Sequence, residues 1–299
     1  MKILITGING FLGSAIAREF LRKGHTISGT SSRDADKSFP SGPDVSKLKL
    51  GEEAPSKLFD GIDRVIHCAH DFSPGAFKRN VEGTKQIFLT AKSAGVPAQV
   101  FISSYSATPR SETRYGKVKF TLEKFFLENG GTVLKPGLVL GAGGLGGRLL
   151  KTIRNSWIFP MPGGSAITFP YVAINDFVRV VIEVTLSGQA GIYNVFYPDF
   201  TSFSMLAAAV KRTVGRPILT VPLPIDAIYP IYRLVEFLLF KFGVRLPINA
   251  ESLISLRDNQ LVANEGTSTI LPHSKTTLQE IVSSVIQDLD RERTGRACR

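Results

Sequence analysis

The sequence predicts an α/β protein built on a doubly wound parallel sheet, followed by a smaller C-terminal α/β domain. Two observations carry this. Over residues 1 to about 140, short runs rich in apolar and β-branched residues alternate with longer stretches whose apolar residues recur about every 3.6 positions, as βαβ units do. The first run, "KILIT", also passes directly into a glycine-punctuated turn, "TGINGFLG", that opens a helical pattern.

In chain order the strands read "KILIT", "TISGT", "RVIHCA", "QVFISS" and "TVLKPGLVL". Between them lie "GSAIAREFLRKG", "PGAFKRNVEGTKQIFLTAKSAG" and "TRYGKVKFTLEKFFLENG", each with an apolar helical stripe and closed by glycine, which ends a helix at little steric cost. Beyond about residue 150 the pattern is less regular. The Pro/Gly-rich "FPMPGG" precedes a helix "VAINDFVRVVIEVTLSG", a strand "GIYNVFY", a helix "SFSMLAAAVKRTVG", a strand "ILTVPLP", an apolar helix and a last helix "TTLQEIVSSVIQDL". This order predicts a nucleotide-binding domain over residues 1–160, rejoined by a segment near 172–197. Residues 161–299 then form mainly a substrate domain, with a cleft between the two.

Composition narrows the class. The 299 residues, 43% hydrophobic and 20% charged, suit a globular chain with a sizeable core. Cys68 in an apolar run and Cys298 in the tail cannot form a disulfide framework, and "MKILITG" lacks the apolar length of a signal peptide, so the expected compartment is the cytoplasm. The net charge of +11 is scattered, with no basic helix and no aromatic-basic ladder, so nucleic acid is not expected as a partner. The apolar stretch Ile225 to Val244 carries Arg233, Glu236 and Lys241. It reads as a buried helix or a homodimer contact rather than a transmembrane span, with peripheral membrane contact as the weaker alternative. No metal is called for.

The turn after the first strand places Gly7 for tightness, Gly10 for backbone approach to a pyrophosphate and Gly13 for helix–sheet packing. A second loop, "GAGGLGG", fits G-x-G-x-x-G at Gly141, Gly143 and Gly146, but no βα repeat follows it to supply a ribose-binding residue. It reads instead as a flexible strand-end loop beside the substrate cleft. At the end of the second strand, where an acid would mark NAD, stand Thr30 or Ser31, then Ser32 and Arg33. Small hydroxyls and a cation suit a 2′-phosphate, so NADP is favoured and NAD is possible. In the alternative, Arg33 is merely solvated and Asp34 or Asp36 turns inward.

"RYGKVKF" sets Tyr115 and Lys119 four apart, on one helix face. A tyrosine is a weak acid or base at neutral pH, and an ammonium one turn away is expected to stabilise its phenolate and lower its pKa. The preceding strand brings Ser103 and Ser104 to the same edge of the sheet.

These pieces together resemble the extended short-chain dehydrogenase/reductases, in the NAD(P)-dependent nucleotide-sugar epimerase/dehydratase group, built on the Rossmann fold. The likeness rests on "TGINGFLG", "VIHCAH", "NVEGT", "FISS", the Tyr115–Lys119 pair, "LKPGLVLG", "VAINDFV" and "LPHSKTTLQEIVSSVI", in that order along nearly the whole chain. The resemblance implies hydride transfer with Tyr115 as acid/base, Lys119 on the nicotinamide ribose, and Ser104 on the substrate oxygen. It further implies that backbone from Gly7 through Asn9, Gly10 and Phe11 to Leu12 holds the pyrophosphate. Ser31, Ser32 and Arg33 would then meet the adenosine ribose, Cys68, Ala69 and His70 would line the cofactor, and Pro136, Gly137 and Leu138 would lie beside the nicotinamide.

The chain departs from the family in places. "SSYSATPR" makes Ser106 a rival for Ser104, and Tyr105 and Ser106 stand where dehydratases carry an Asp-Glu pair, which argues against water loss. His70, where a small residue is usual, reads first as a hydrogen-bonded cleft histidine without catalytic duty and alternatively as a substrate contact, and Arg148 could meet a diphosphate. The expected function is an NADP-preferring reductase or epimerase of a nucleotide-linked sugar. The alternatives are a reductase of an apolar, steroid- or lipid-like alcohol or ketone, and a non-catalytic NADP-sensing scaffold.

Overall fold

The computed structural model describes residues 1–33, 43–163, 167–224, 229–230, 232–234, 236, 250, 254, 268–270 and 276–297. Its centre is an eight-stranded sheet. The strands are β1 (Lys2–Thr6), β2 (Thr26–Ser31), β3 (Asp44–Lys47), β4 (Arg64–His67), β5 (Ala98–Ile102), β6 (Thr132–Pro136), β11 (Gly191–Val195) and β14 (Ser268–Ile270). They lie in the order β14-β11-β6-β5-β4-β1-β2-β3, and every neighbouring pair is parallel.

Helices cover both faces because alternate strand residues point to opposite sides. Ile3 and Ile5 of β1 pack with Ile16 and Phe20 of α1 (Phe11–Arg22), whereas Leu4 packs with Ile87 and Ala91 of α2 (Phe77–Ser93). On the second face α3 (Arg114–Glu128) adds Val118, Leu122 and Phe126 against Phe101 and Val133. The strand order reverses between β1 and β4, which makes their carboxyl ends the place for a ligand.

The remaining elements flank this sheet. β7 (Leu138–Leu140) leads to α4 (Gly144–Asn155), then β8 (Ile158–Pro162), β9 (Thr168–Phe169), β10 (Tyr171–Ala173) and α5 (Ile174–Ser187). After β11 come β12 (Thr201–Ser202), α6 (Phe203–Val214), β13 (Leu219–Leu223) and, at the end, α7 (Leu278–Ala297). β7 pairs with β10, β9 with β12 and β8 with β13, while α4, α6 and α7 pack on one another. α5 instead packs on α1, and Gly191–Val195 pairs with Thr132–Pro136, so this part of the chain joins the central sheet.

Three features depart from the sequence reading. β3 and β14 widen the sheet, and β14 comes from the part expected to serve mainly the substrate domain. "TVLKPGLVL" is two strands, because Gly137 breaks it. A Cβ there would lie 2.5 Å from the Pro170 carbonyl oxygen, and Leu138 N–H turns to donate to that oxygen. The apolar stretch 225–244 lies mostly outside the described residues, as do Asp34, Asp36 and Cys298, although residues 229–230, 232–234 and 236 are helical. No helix among the described residues is long and apolar enough to cross a membrane.

Candidate active site

The turn after β1 is shaped by its glycines. Gly7 has φ +68°, and a Cβ on it would sit 2.8 Å from Ala69 Cα, so the turn runs against the end of β4 as only glycine permits. A Cβ on Gly13 would lie 2.4 Å from the Gly7 carbonyl oxygen. Gly10 caps α1 with no side-chain hydrogen bond, leaving the first-turn N–H groups and the positive end of the helix dipole for an anion. Asn9 Nδ2 donates to Ser31 Oγ at 3.3 Å, while its Oδ1 is buried with no partner. This cradle fits the pyrophosphate and ribose of a dinucleotide. Ser31 is buried and also accepts from the Arg33 N–H, so it shapes the turn, while Ser32 and Arg33 face solvent.

The second glycine loop does not form a separate site. Gly141, Gly143 and Gly144 wrap the Phe11 ring, where Cβ atoms would approach to 2.5–2.7 Å, so this loop buttresses the first one as it enters α4. Arg148 is exposed on α4.

Across the switch point, Cys68, Ala69 and His70 follow β4 and are partly buried. Burial pushes the Cys68 thiol up to about 12, so it stays neutral. His70 meets the Tyr115 ring edge-on at 4.9 Å; burial, with the Lys119 charge adding to it, pulls its pKa down to about 3. It therefore stays neutral in the working range, which removes it as a proton donor. Asn80 holds this loop from α2, donating to the Asp71 and Ala76 carbonyls and accepting from Asp71 N–H.

Thr113 caps α3 by accepting from Gly116 N–H at 3.1 Å, which fixes the helix start with Tyr115 in its first turn. Tyr115, Lys119 and Glu123 then follow on one face. Burial pushes the Tyr115 phenol up to about 12, against a hydrogen bond with Ser104 that lowers it. Ser104 Oγ also lies 2.9 Å from Ser106 Oγ, so Ser104 touches Tyr115 and Ser106 backs it. Pro136 accepts from Tyr105 N–H, placing the β6–β7 junction, with Gly137 and Leu138, beside this loop.

The expected lowering of Tyr115 by Lys119 is corrected here. Lys119 Nζ donates to the Ile102 carbonyl at 2.7 Å and sits over the Phe101 ring at 4.6 Å, against 5.7 Å to the Tyr115 ring. Burial pulls its own pKa down to about 8, against the nearby Glu123 carboxylate. Desolvation of the phenol outweighs any help from the ammonium.

Two features escaped the sequence reading. Phe72, 77% exposed, lies parallel to the Tyr115 ring with centroids 6.0 Å apart, and His70 packs edge-on to it. Behind the site, Lys135 and Glu123 form a buried ion pair of 2.9 Å, each side chain 4% exposed. The spacing of Glu123, four residues past Lys119, is the one sequence signal for it. Among the described residues no group of three or more His, Cys, Asp or Glu side chains could hold a metal ion.

Residues 3–125 match the model of the NAD dependent epimerase/dehydratase family. The match speaks for a nicotinamide-dependent enzyme rather than a non-catalytic scaffold. The 3-beta-hydroxysteroid dehydrogenase of Mycolicibacterium neoaurum is 22% identical over 296 residues, covering 83% of this chain and 79% of that enzyme. Cinnamoyl-CoA reductase 1 of Oryza sativa subsp. japonica is 29% identical over 127 residues, 38% of this chain and 37% of its own. The crystal structure of the Thermus thermophilus UDP-glucose 4-epimerase with NAD superposes with a TM-score of 0.72 at 18% identity, covering 97% of this chain and 99% of that one. That likeness is one of fold.

Phe72→Ala tests the aromatic wall beside Tyr115. Losing one aromatic contact of about 1.4 kcal/mol should raise KM for the substrate by about tenfold and leave nicotinamide-cofactor binding unchanged. An unchanged KM removes Phe72 from the substrate path.

Proposed function

We propose that the protein is an NADP-preferring reductase that interconverts a ketone and a secondary alcohol. The observation that carries this is the Tyr115 phenol, protonated through neutral pH and hydrogen-bonded to Ser104, at the mouth of the β1–β4 switch point. The bound nicotinamide supplies the hydride. Tyr115 gives its proton to the developing alkoxide oxygen, and the Ser104 hydroxyl, backed by Ser106, holds the same oxygen in place. Lys119, anchored on Ile102, would hold the nicotinamide ribose with its remaining N–H donors. Gly7 to Leu12 would hold the pyrophosphate, Cys68, Ala69 and His70 would line the cofactor, and Pro136, Gly137 and Leu138 would lie beside the nicotinamide. A neutral His70 packs against Tyr115 and keeps water from its ring.

A nucleotide-linked sugar is the first substrate class, supported by the family match and by the UDP-glucose 4-epimerase of like fold, with Arg148 available to a diphosphate. An apolar ketone is the second, favoured by Phe72 and His70 against Tyr115 and by the steroid and cinnamoyl-CoA enzymes among the relatives. NADPH oxidation with a UDP-linked 4-ketohexose and with a steroid 3-ketone separates them. Reduction of neither, with NADPH still bound, contradicts the proposal.

Ser32 and Arg33 are the residues placed to choose the cofactor. Arg33→Ala should weaken NADPH by about 10- to 100-fold, the worth of a charge-assisted hydrogen bond, and leave NADH within about twofold. Isothermal titration with both cofactors checks this, and equal losses overturn the preference.

A further inference from the structure

The segment that carries Ser104 is pinned from behind at three points. Lys119 Nζ donates to the Ile102 carbonyl at 2.7 Å, and Ser103 Oγ donates to Glu123 Oε1 at 2.5 Å. Lys135 Nζ donates to the Ala107 carbonyl at 2.6 Å and to Glu123 Oε2 at 2.9 Å. Between these anchors lie Ser104, Tyr105 and Ser106; Tyr105 N–H donates to the Pro136 carbonyl at 2.9 Å, and Ala107 N–H closes the turn on the Ser104 carbonyl at 3.0 Å. One α3 face thus does three jobs at successive turns: Tyr115 faces the reacting oxygen, Lys119 holds the strand end, and Glu123 reaches past it to β6.

We propose that Glu123 and Lys135 are positioning residues that set the Ser104 hydroxyl against Tyr115. Neither touches substrate or cofactor; they act through Ser103 and the Ala107 carbonyl. A buried ion pair adds little net stability compared with an apolar pair of like volume, because desolvation offsets its attraction. What an apolar pair cannot supply is the donor to Ala107 and the acceptor for Ser103, and those two bonds hold the loop from behind at both ends. The proposal rests on the reading of Tyr115 as the proton donor, with Ser104 as its partner.

The test uses the full chain with Glu123→Gln and Lys135→Met together, which removes the two charges of the ion pair at once and keeps an acceptor for Ser103. The expected result is a thermal midpoint close to the native one, together with faster amide hydrogen exchange confined to residues 102–108. Turnover of NADPH with whichever of the two ketones is reduced should fall by about 100-fold at unchanged NADPH affinity, the cost of a misplacement of about 1 Å. Adding Ser104→Ala should then cost almost nothing further, whereas in the native background it costs most of that loss. Lys135→Arg, which keeps both donations, should restore exchange protection and turnover.

Unchanged exchange over 102–108 overturns the proposal whatever the ketones show. Additive loss with Ser104→Ala overturns it as well, and so does full turnover in the double variant. Failure of the functional reading shows separately, as native turnover that survives Tyr115→Phe.

Discussion

Replacing Tyr115 with phenylalanine lowers kcat by about 10²- to 10⁴-fold, the range for a positioned general acid, while NADPH binding stays within about twofold. The ring remains in place between His70 and Phe72, so packing is kept and only the proton is removed. The pH profile carries the same message. With the phenol near 12, its protonated form is saturated through neutral pH, so reduction does not follow its titration. The group that changes first is Lys119, near 8, and reduction should decline above that pH as the ammonium loses its charge. The reverse oxidation needs the phenolate and should rise with pH. Turnover that survives Tyr115→Phe removes Tyr115 from catalysis.

The largest expected loss of stability comes from Lys135→Met. It strands the Glu123 carboxylate in a site where burial already pushes its pKa above the ordinary value, and it should cost about 3–5 kcal/mol by denaturant unfolding. The pH dependence has a definite sign. A carboxyl whose pKa is raised on folding contributes stability below the unfolded value, 4.5, and loses it as pH rises through the folded one. The penalty of Lys135→Met should therefore shrink as pH falls, since the buried Glu123 takes up a proton above its ordinary value. A penalty independent of pH contradicts the assignment of Glu123 as the stranded charge.

Much of the site was legible in the sequence because it is local. The Gly7–Gly13 turn and the Tyr115–Lys119 spacing lie within single stretches of chain, and each has a short-range signature of its own. Ser104 emerged at the edge of β5 for the same reason. What the sequence left open depends on contacts between distant segments. Lys135 and Glu123 look like ordinary strand and helix charges until β6 and α3 meet. Phe72 lies in an irregular loop whose course is fixed by Asn80 from α2. β3, "DVSK", is a polar edge strand with no apolar alternation to mark it. The second glycine loop fits the literal motif better than the first, yet its glycines make room for the Phe11 ring. The expected depression of the Tyr115 pKa failed because helical spacing gives proximity but not burial.

Deuteride transfer is the most direct measurement of the central claim. NADPH carrying deuterium at C4 of the nicotinamide is incubated with the protein and each ketone, and the product alcohol is examined by mass spectrometry and NMR. The account predicts one deuterium at the carbinol carbon, from one face of the cofactor only, in the native protein and almost none with Tyr115→Phe. Saturating cofactor binding with no deuterium in any product, or incorporation unaffected by Tyr115→Phe, contradicts it.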